Sequence, residues 1–150
     1  MDAPADPLGV ETREARERVA PTLPGGRLRR VLQYIDEHLQ SRIRLVELSA
    51  VVHMSPFHFA RLFARSTGLP PHRFIVQRRI EAARALLAAE RMSIAAIARS
   101  VGFRTPSHFT TTFRRVVGMT PRAYRVARAE RRGPERTSDE PAIPAKPASG

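Results

Sequence analysis

Arginine is the residue type best placed to do chemistry in this chain. Of its 26 basic groups 25 are Arg, set against 14 acids in 150 residues, for a formal net charge of +12. A guanidinium is a planar fork of donors that matches phosphate oxygens and the O6/N7 edge of guanine. Other chemistries are poorly provided for. Cysteine is absent, which removes a thiolate nucleophile, a thiolate zinc site and a disulfide scaffold. The histidines are His38, His53, His58, His72 and His108. None forms the i, i+4 pair that a helical metal site wants, and His53 and His58 straddle an expected helix start. No Ser/His/Asp order, paired carboxylate or glycine-rich phosphate loop is present. The expectation is therefore a protein with no catalytic residue, no metal and no cofactor. Its partner should be a polyanion, either nucleic acid or an anionic membrane surface.

The charge is concentrated in one stretch. Residues 1–26 carry a net −2 and residues 133–150 a net −1, so residues 27–132 hold +15. Eight of the 13 prolines fall in the two flanks. Segments so rich in Pro and poor in large apolar side chains cannot offset their ordering entropy, so both flanks read as disordered tails. Glu11–Ala20 could at most form a short fraying helix, because it lacks an apolar face. No run approaches the ~18 apolar residues of a membrane span, and the N-terminus has no apolar signal region. A soluble, cytoplasmic protein is expected.

Within 27–132 the apolar residues repeat with helical spacing. Leu28, Val31, Leu32, Ile35 and Leu39 predict a helix over about 27–40. Leu45, Leu48, Val51 and Val52 predict a short one. Ser55-Pro56 reads as an N-cap with Pro at the first helical position, and Gly68 as the stop. A longer helix over about 72–89 would turn Phe74, Ile80, Ala83, Leu86 and Leu87 inward and span about 26 Å. Ser93 to Val101, Thr105-Pro106 to Gly118, and Thr120-Pro121 toward Arg128 complete an all-α chain of about seven helices. In the helix after Thr105 the expected inner face is Phe109, Thr112, Phe113 and Val116.

The chain also repeats itself. At an offset of 50, Pro56, His58, Phe59, Phe63, Arg65, Gly68, Pro71 and Phe74 match Pro106, His108, Phe109, Phe113, Arg115, Gly118, Pro121 and Tyr124. Upstream the offset is 49, pairing Leu48 with Ile97, Val52 with Val101 and Met54 with Phe103, so the second turn holds one extra residue. Each copy is a short helix, a turn and a capped longer helix, the grammar of a helix-turn-helix. The first motif spans about 45–68 and the second about 93–118, joined by the long helix. Two such heads on a rigid connector could enter successive major grooves about 34 Å apart. The plainer alternative is a duplicated helical hairpin used only for packing.

Two segments carry a resemblance to a known family. LVELSAVVHMSPFHFARLFARSTGLPPHRF (45–74) and SIAAIARSVGFRTPSHFTTTFRRVVGMTPRAYR (93–125) resemble the DNA-binding domain of AraC/XylS-type transcriptional regulators. The order I-A-x-x-V-G-F, S-H-F, T-F-R-R, G-M-T-P, Y-R in the second segment is the more specific signal. The resemblance covers about two-thirds of the chain. It implies a sequence-specific, double-stranded-DNA-binding regulator. With so short an upstream segment, the chain resembles stand-alone members that bind as monomers and activate promoters, with RNA polymerase as a further partner. No room for an effector pocket is evident outside the helical core. Related methylated-DNA repair proteins need cysteines, so that enzymatic kinship is excluded.

Periodicity leaves Phe57, His58, Ala60, Arg61, Ala64 and Arg65 on the outer face of the first recognition helix, and Ser107, His108, Thr110, Thr111, Arg114 and Arg115 on that of the second. The resemblance places base reading at Phe57, Ala60 and Arg61, and the repeat extends it to Ser107, Thr110 and Thr111. Arg61 suits guanine and Phe57 suits thymine methyls. Alternatively, Phe57 is an aromatic staple on a neighbouring helix. Ala60 and Thr111 depart from the family, which often has a longer polar side chain and Arg there. Phosphate contacts are expected from His58, Arg65, Arg104, Thr105, His108, Arg114 and Arg115, aided by free amides at the helix starts. Arg128, Arg131 and Arg132 could equally be a solvated face. A nonspecific or architectural coater of nucleic acid is the alternative function. A cationic membrane-surface protein fits less well, because the large aromatics belong in a core.

Overall fold

The computed structural model describes residues 20–89 and 91–133, and within them it is all helical. The helices are α1 (Gly25–Glu37), α2 (Leu45–Val51), α3 (Pro56–Thr67), α4 (Pro71–Ala88), α5 (Ile94–Ser100), α6 (Pro106–Val117) and α7 (Pro121–Arg132). No described helix is long and apolar enough to cross a membrane.

Local chemistry explains most of these boundaries. The His58, Ala96, His108 and Ala123 amides donate to Ser55 Oγ, Ser93 Oγ, Thr105 Oγ1 and Thr120 Oγ1 at 3.4, 3.1, 3.1 and 3.1 Å. Each bond satisfies one of the amides a helix start leaves unpaired. At α2 the roles reverse: the Arg44 amide donates to Glu47 Oε2 at 2.8 Å. That donated bond holds the half-buried Glu47 carboxyl below its ordinary range. The helices α3 and α6 both stop at a left-handed glycine, Gly68 and Gly118.

Two small cores flank α4. The first joins Leu23, Val31, Ile35, Leu48, Val52, Phe59, Leu62, Phe63 and Ile75. The second joins Ile80, Ala83, Leu87, Ile97, Ala98, Val101, Phe103, Phe109, Phe113 and Tyr124. The repeat is visible in the aromatics. Phe59–Phe63 and Phe109–Phe113 centroids lie 5.5 and 5.6 Å apart, and Phe63–Phe74 and Phe113–Tyr124 meet edge to face at 5.2 and 5.6 Å. Such contacts add to the area term.

Several expectations need correction. The N-terminal tail does not extend to residue 26: Leu23 is buried, its amide donates to Ser66 Oγ at 2.9 Å, and α1 already starts at Gly25. Residues 1–19 and 134–150, with the remainder of both expected tails, lie outside the described residues. The first helix ends at Glu37, and the last continues to Arg132. On α4 the buried set includes Ile75, while Phe74 and Leu86 are only half-buried. This helix serves two cores, so its apolar stripe changes face between Ile75 and Ile80. Val116 is exposed on α6, because it faces the gap between the two halves instead of the core below Phe113.

A tight junction joins the halves at the middle of α4. Arg79, midway along α4, donates from Nε to the Leu39 carbonyl at 3.1 Å and from Nη2 to the Ser41 carbonyl at 2.8 Å. On the other side of the same carbonyl lies Gly102, in the turn between α5 and α6. A Cβ there would overlap the Leu39 oxygen and come within 2.8 Å of Arg79 Nε, and the φ of +96° is one that L side chains rarely adopt. Beside it, Arg78 ties α4 to α1 through Asp36 at 3.4 Å.

The equivalent position in the first turn is His53, also left-handed with φ of 54° but exposed. The two turns are matched in hydrogen bonding: Met54 N donates to Ser49 O at 3.0 Å and Phe103 N to Ala98 O at 2.9 Å. Gly102→Ala should destabilise the protein by about 3 kcal/mol, combining backbone strain with overlap. His53→Gly should be neutral or stabilising by up to about 1 kcal/mol, while His53→Val should cost about 1–2 kcal/mol. Urea denaturation of the three variants checks the order. Phe113→Ala should cost about 3–5 kcal/mol. Because the cores share no buried residue, hydrogen exchange should then show greater loss of protection in α5–α7 than in α1–α3.

Candidate nucleic-acid interface

The helices α3 and α6 are the second helices of the two motifs, and each is anchored by three buried residues. Phe59, Leu62 and Phe63 hold α3, and Phe109, Thr112 and Phe113 hold α6. Residues three and four apart share a helix face, so these anchors fix what points outward. On α3 the outward stripe is Phe57, Ala60, Arg61 and Ala64. On α6 it is Ser107, Thr110, Thr111 and Arg114. Phe57, Arg61, Ser107, Thr111 and Arg114 are exposed, whereas Ala60 and Thr110 are half-buried. Neither helix contains an acidic residue.

Phe57 is 74% exposed, so it is not a staple on a neighbouring helix. Its ring instead lies under Arg61, whose guanidinium carbon is 5.8 Å from the ring centroid. Stacking of this kind steadies a guanidinium while leaving its in-plane donors unused. The pair therefore presents an apolar face and an oriented donor fork on one helix turn. On α6 the corresponding positions are hydroxyls, with Ser107, Thr110 and Thr111 offering short donors and acceptors.

The remaining candidates are distributed around these stripes. His58 and His108 are exposed, and their backbone amides complete the N-caps described above. The His108 ring meets Phe103 edge to face at 5.4 Å. Arg65 lies one turn beyond Arg61 in the last turn of α3. Arg104 and Thr105 precede α6, and Arg104 is the extra residue of the second turn. Arg115 is separated from Arg114. It lines a cleft of about 490 Å³ against α4, together with Leu69, His72, Arg73, Val76, Gln77 and Val116.

A larger cleft, about 860 Å³, lies between the loop that leads into α2, the middle of α4 and the turn of the second motif. It collects basic side chains from segments distant in sequence, including Arg42, Arg44, Arg79 and Arg99, none of them anticipated as site residues. The two Arg in SRIRL (41–45) are a weak local signal of it. Arg79 and Arg99 carry none, since nothing in a helical stripe says that two helices will meet there. Among the described residues, no group of three or more His, Asp or Glu could hold a metal ion.

Comparison with known proteins agrees with this arrangement. The helix-turn-helix domain family matches residues 48–127, from within α2 to within α7 and including α3, α4, α5 and α6. The regulatory protein PocR of Salmonella typhimurium is 37% identical over 105 residues, 70% of this chain and 35% of PocR. The chain thus spans about a third of the length of that curated relative. The DNA-binding domain of the global transcriptional factor AdpA, solved in complex with a target DNA, has a TM-score of 0.67 at 34% identity, covering 70% of this chain and 95% of that one. A Chromobacterium violaceum transcriptional regulator with an AraC-type DNA-binding domain has a TM-score of 0.66 at 27% identity, covering 70% and 94%. With both motifs, their connector and the signature segments matched, the chain belongs to the AraC/XylS family of helix-turn-helix transcriptional regulators.

Proposed function

We propose that this protein is a sequence-specific DNA-binding transcriptional regulator that docks as a monomer, with α3 and α6 in two adjacent major grooves. One observation carries the reading: two equivalent helices, each anchored by an aromatic pair, present outward stripes free of acidic residues from a single chain. A duplicated head in one chain needs no second subunit to span two grooves. The fork of Arg61 reads guanine and Phe57 lies against thymine methyls, giving α3 the sharper sequence preference. The short side chains Ser107, Thr110 and Thr111 discriminate less, so α6 contributes proportionally more backbone attraction. His58, Arg65, Arg104, Thr105, His108, Arg114 and Arg115 serve phosphates, which set register without reading sequence. Activation through contact with RNA polymerase, and a cytoplasmic location on DNA, are the outcomes the family resemblance supports.

Selection from a random duplex pool supplies the operator for the test. Arg61→Ala should weaken binding to the selected duplex by about 1–3 kcal/mol and affect random DNA much less. Arg115→Ala should weaken both alike and make the salt dependence shallower by about one unit. Fluorescence anisotropy across a salt series measures each. Equal losses on every sequence from both variants would contradict this division of roles. A selected-to-random affinity ratio well below about 10³ would favour a nonspecific coater instead.

A further inference from the structure

On one face of a B-form duplex, two successive major grooves are separated by a minor groove and its flanking backbones. If α3 and α6 occupy the grooves, those intervening phosphates must lie against whatever the protein places between its two motifs. The larger of the clefts there, of about 860 Å³, is lined among others by Arg42, Arg44, His72, Arg79, Arg99 and Arg104. No acidic residue lines it. Arg44 shares its charge with Glu47 at 3.4 Å, but no described carboxylate pairs with Arg42, Arg99 or Arg104.

The orientation of the cleft follows from its rims. One rim is the residues leading into α2 of the first motif, Arg42 to Leu45. In a helix-turn-helix the first helix crosses the DNA backbone. The other rim is the turn and opening residues of α6, including Phe103, Arg104 and His108. The start of that helix is the part that approaches base edges. Both rims are therefore elements that a docked duplex reaches.

The floor supplies an independent observation. Arg79 is half-buried, and its only described acceptors are the uncharged carbonyls of Leu39 and Ser41. Burial lowers its pKa from the ordinary arginine value, although a guanidinium remains charged at working pH. A cation partly removed from water without a compensating anion, beneath further cations, is a costly arrangement. A phosphate strand entering the cleft would relieve it.

We propose that this inter-motif cleft is a binding site for the backbone phosphates of the DNA segment between the two half-sites, with Arg42, Arg99 and Arg104 as its contacts above the Arg79 floor. The inference rests on the two-groove reading above. It adds an affinity term that reports whether both heads are engaged on one duplex.

The test uses the full chain and the selected duplex, with charge-neutral methylphosphonates placed either at the intervening phosphates or beside the two half-sites. Neutralising two intervening phosphates should weaken wild-type binding on the order of tenfold at 0.1 M salt. Arg42→Gln combined with Arg99→Gln, both at exposed positions, should weaken binding to the unmodified duplex similarly. It should also reduce the salt slope by about 1.8. The double variant, which keeps Arg104 and Arg79, should lose less than the wild type on the neutralised duplex, which is the coupling expected of shared contacts. Wild-type indifference to neutralised intervening phosphates, with sensitivity retained beside the half-sites, overturns the cleft assignment and leaves the proposed function standing. Failure to select any preferred duplex overturns both. Inorganic triphosphate, titrated without DNA, separates the other source of the same chemistry. Saturable binding that the double variant abolishes, together with that indifference, would assign the cleft to a free oligophosphate and overturn the DNA assignment.

Discussion

The guanidinium of Arg79 bonds the carbonyls that follow α1, and Gly102 lies against one of those same oxygens. Three parts of the chain thus meet at one point: the end of the first helix, the middle of the connector and the turn of the second motif. Each motif could fold around its own core, yet neither core alone sets the angle between them. The junction adds to the packing of α4 in both cores with charge-assisted hydrogen bonds, whose partners are costly to leave unpaired. It also does so with a contact so close that only hydrogen fits on the second turn's Cα. In the proposed two-groove docking the separation of α3 and α6 decides the fit, so this contact would bear on that docking more directly than any single residue of the outward stripes.

Duplication explains how so small a chain builds two heads. Each half uses the same aromatic ladder and the same capped, proline-started helix, so one folding solution serves twice. The differences between copies are then informative. The first turn has His53 in a left-handed conformation, facing solvent with its side chain. The second turn needs glycine at the matched position because the other half presses on it. The extra residue of the second turn is Arg104, which lines the cleft between the halves. Both departures from the repeat fall where the two copies face each other.

The sequence made visible whatever is decided locally. Helix starts at Ser55, Ser93, Thr105 and Thr120 were legible because a hydroxyl, and in three cases a following proline, carries the boundary chemistry. The inner faces of α3 and α6 followed from helical spacing. Helical spacing passes over Ile75 and turns Val116 inward for one reason: periodicity assumes one core per helix, whereas α4 turns between two and the end of α6 overhangs the gap. Leu23 sits in a proline-flanked, polar stretch, and it is buried in a core whose other members, like the Ser66 hydroxyl that its amide bonds, lie beyond it in sequence. Arg79 reads as one more solvated arginine until the carbonyls of Leu39 and Ser41 are seen beside it. Of the candidate interface, the exposed stripe on each helix is legible, but the cleft is not, because three separated segments line it.

The most direct measurement of the central claim is affinity as a function of the distance between half-sites. Duplexes carrying the selected operator would be compared with ones in which about five or ten base pairs are inserted between the halves, the larger insertion restoring the rotational phase of the duplex. Two heads locked by the Arg79–Leu39–Gly102 junction should bind both inserted duplexes no better than a single half-site. Undiminished affinity on either one would mean that the heads move independently, and the account of a rigid paired reader would be wrong.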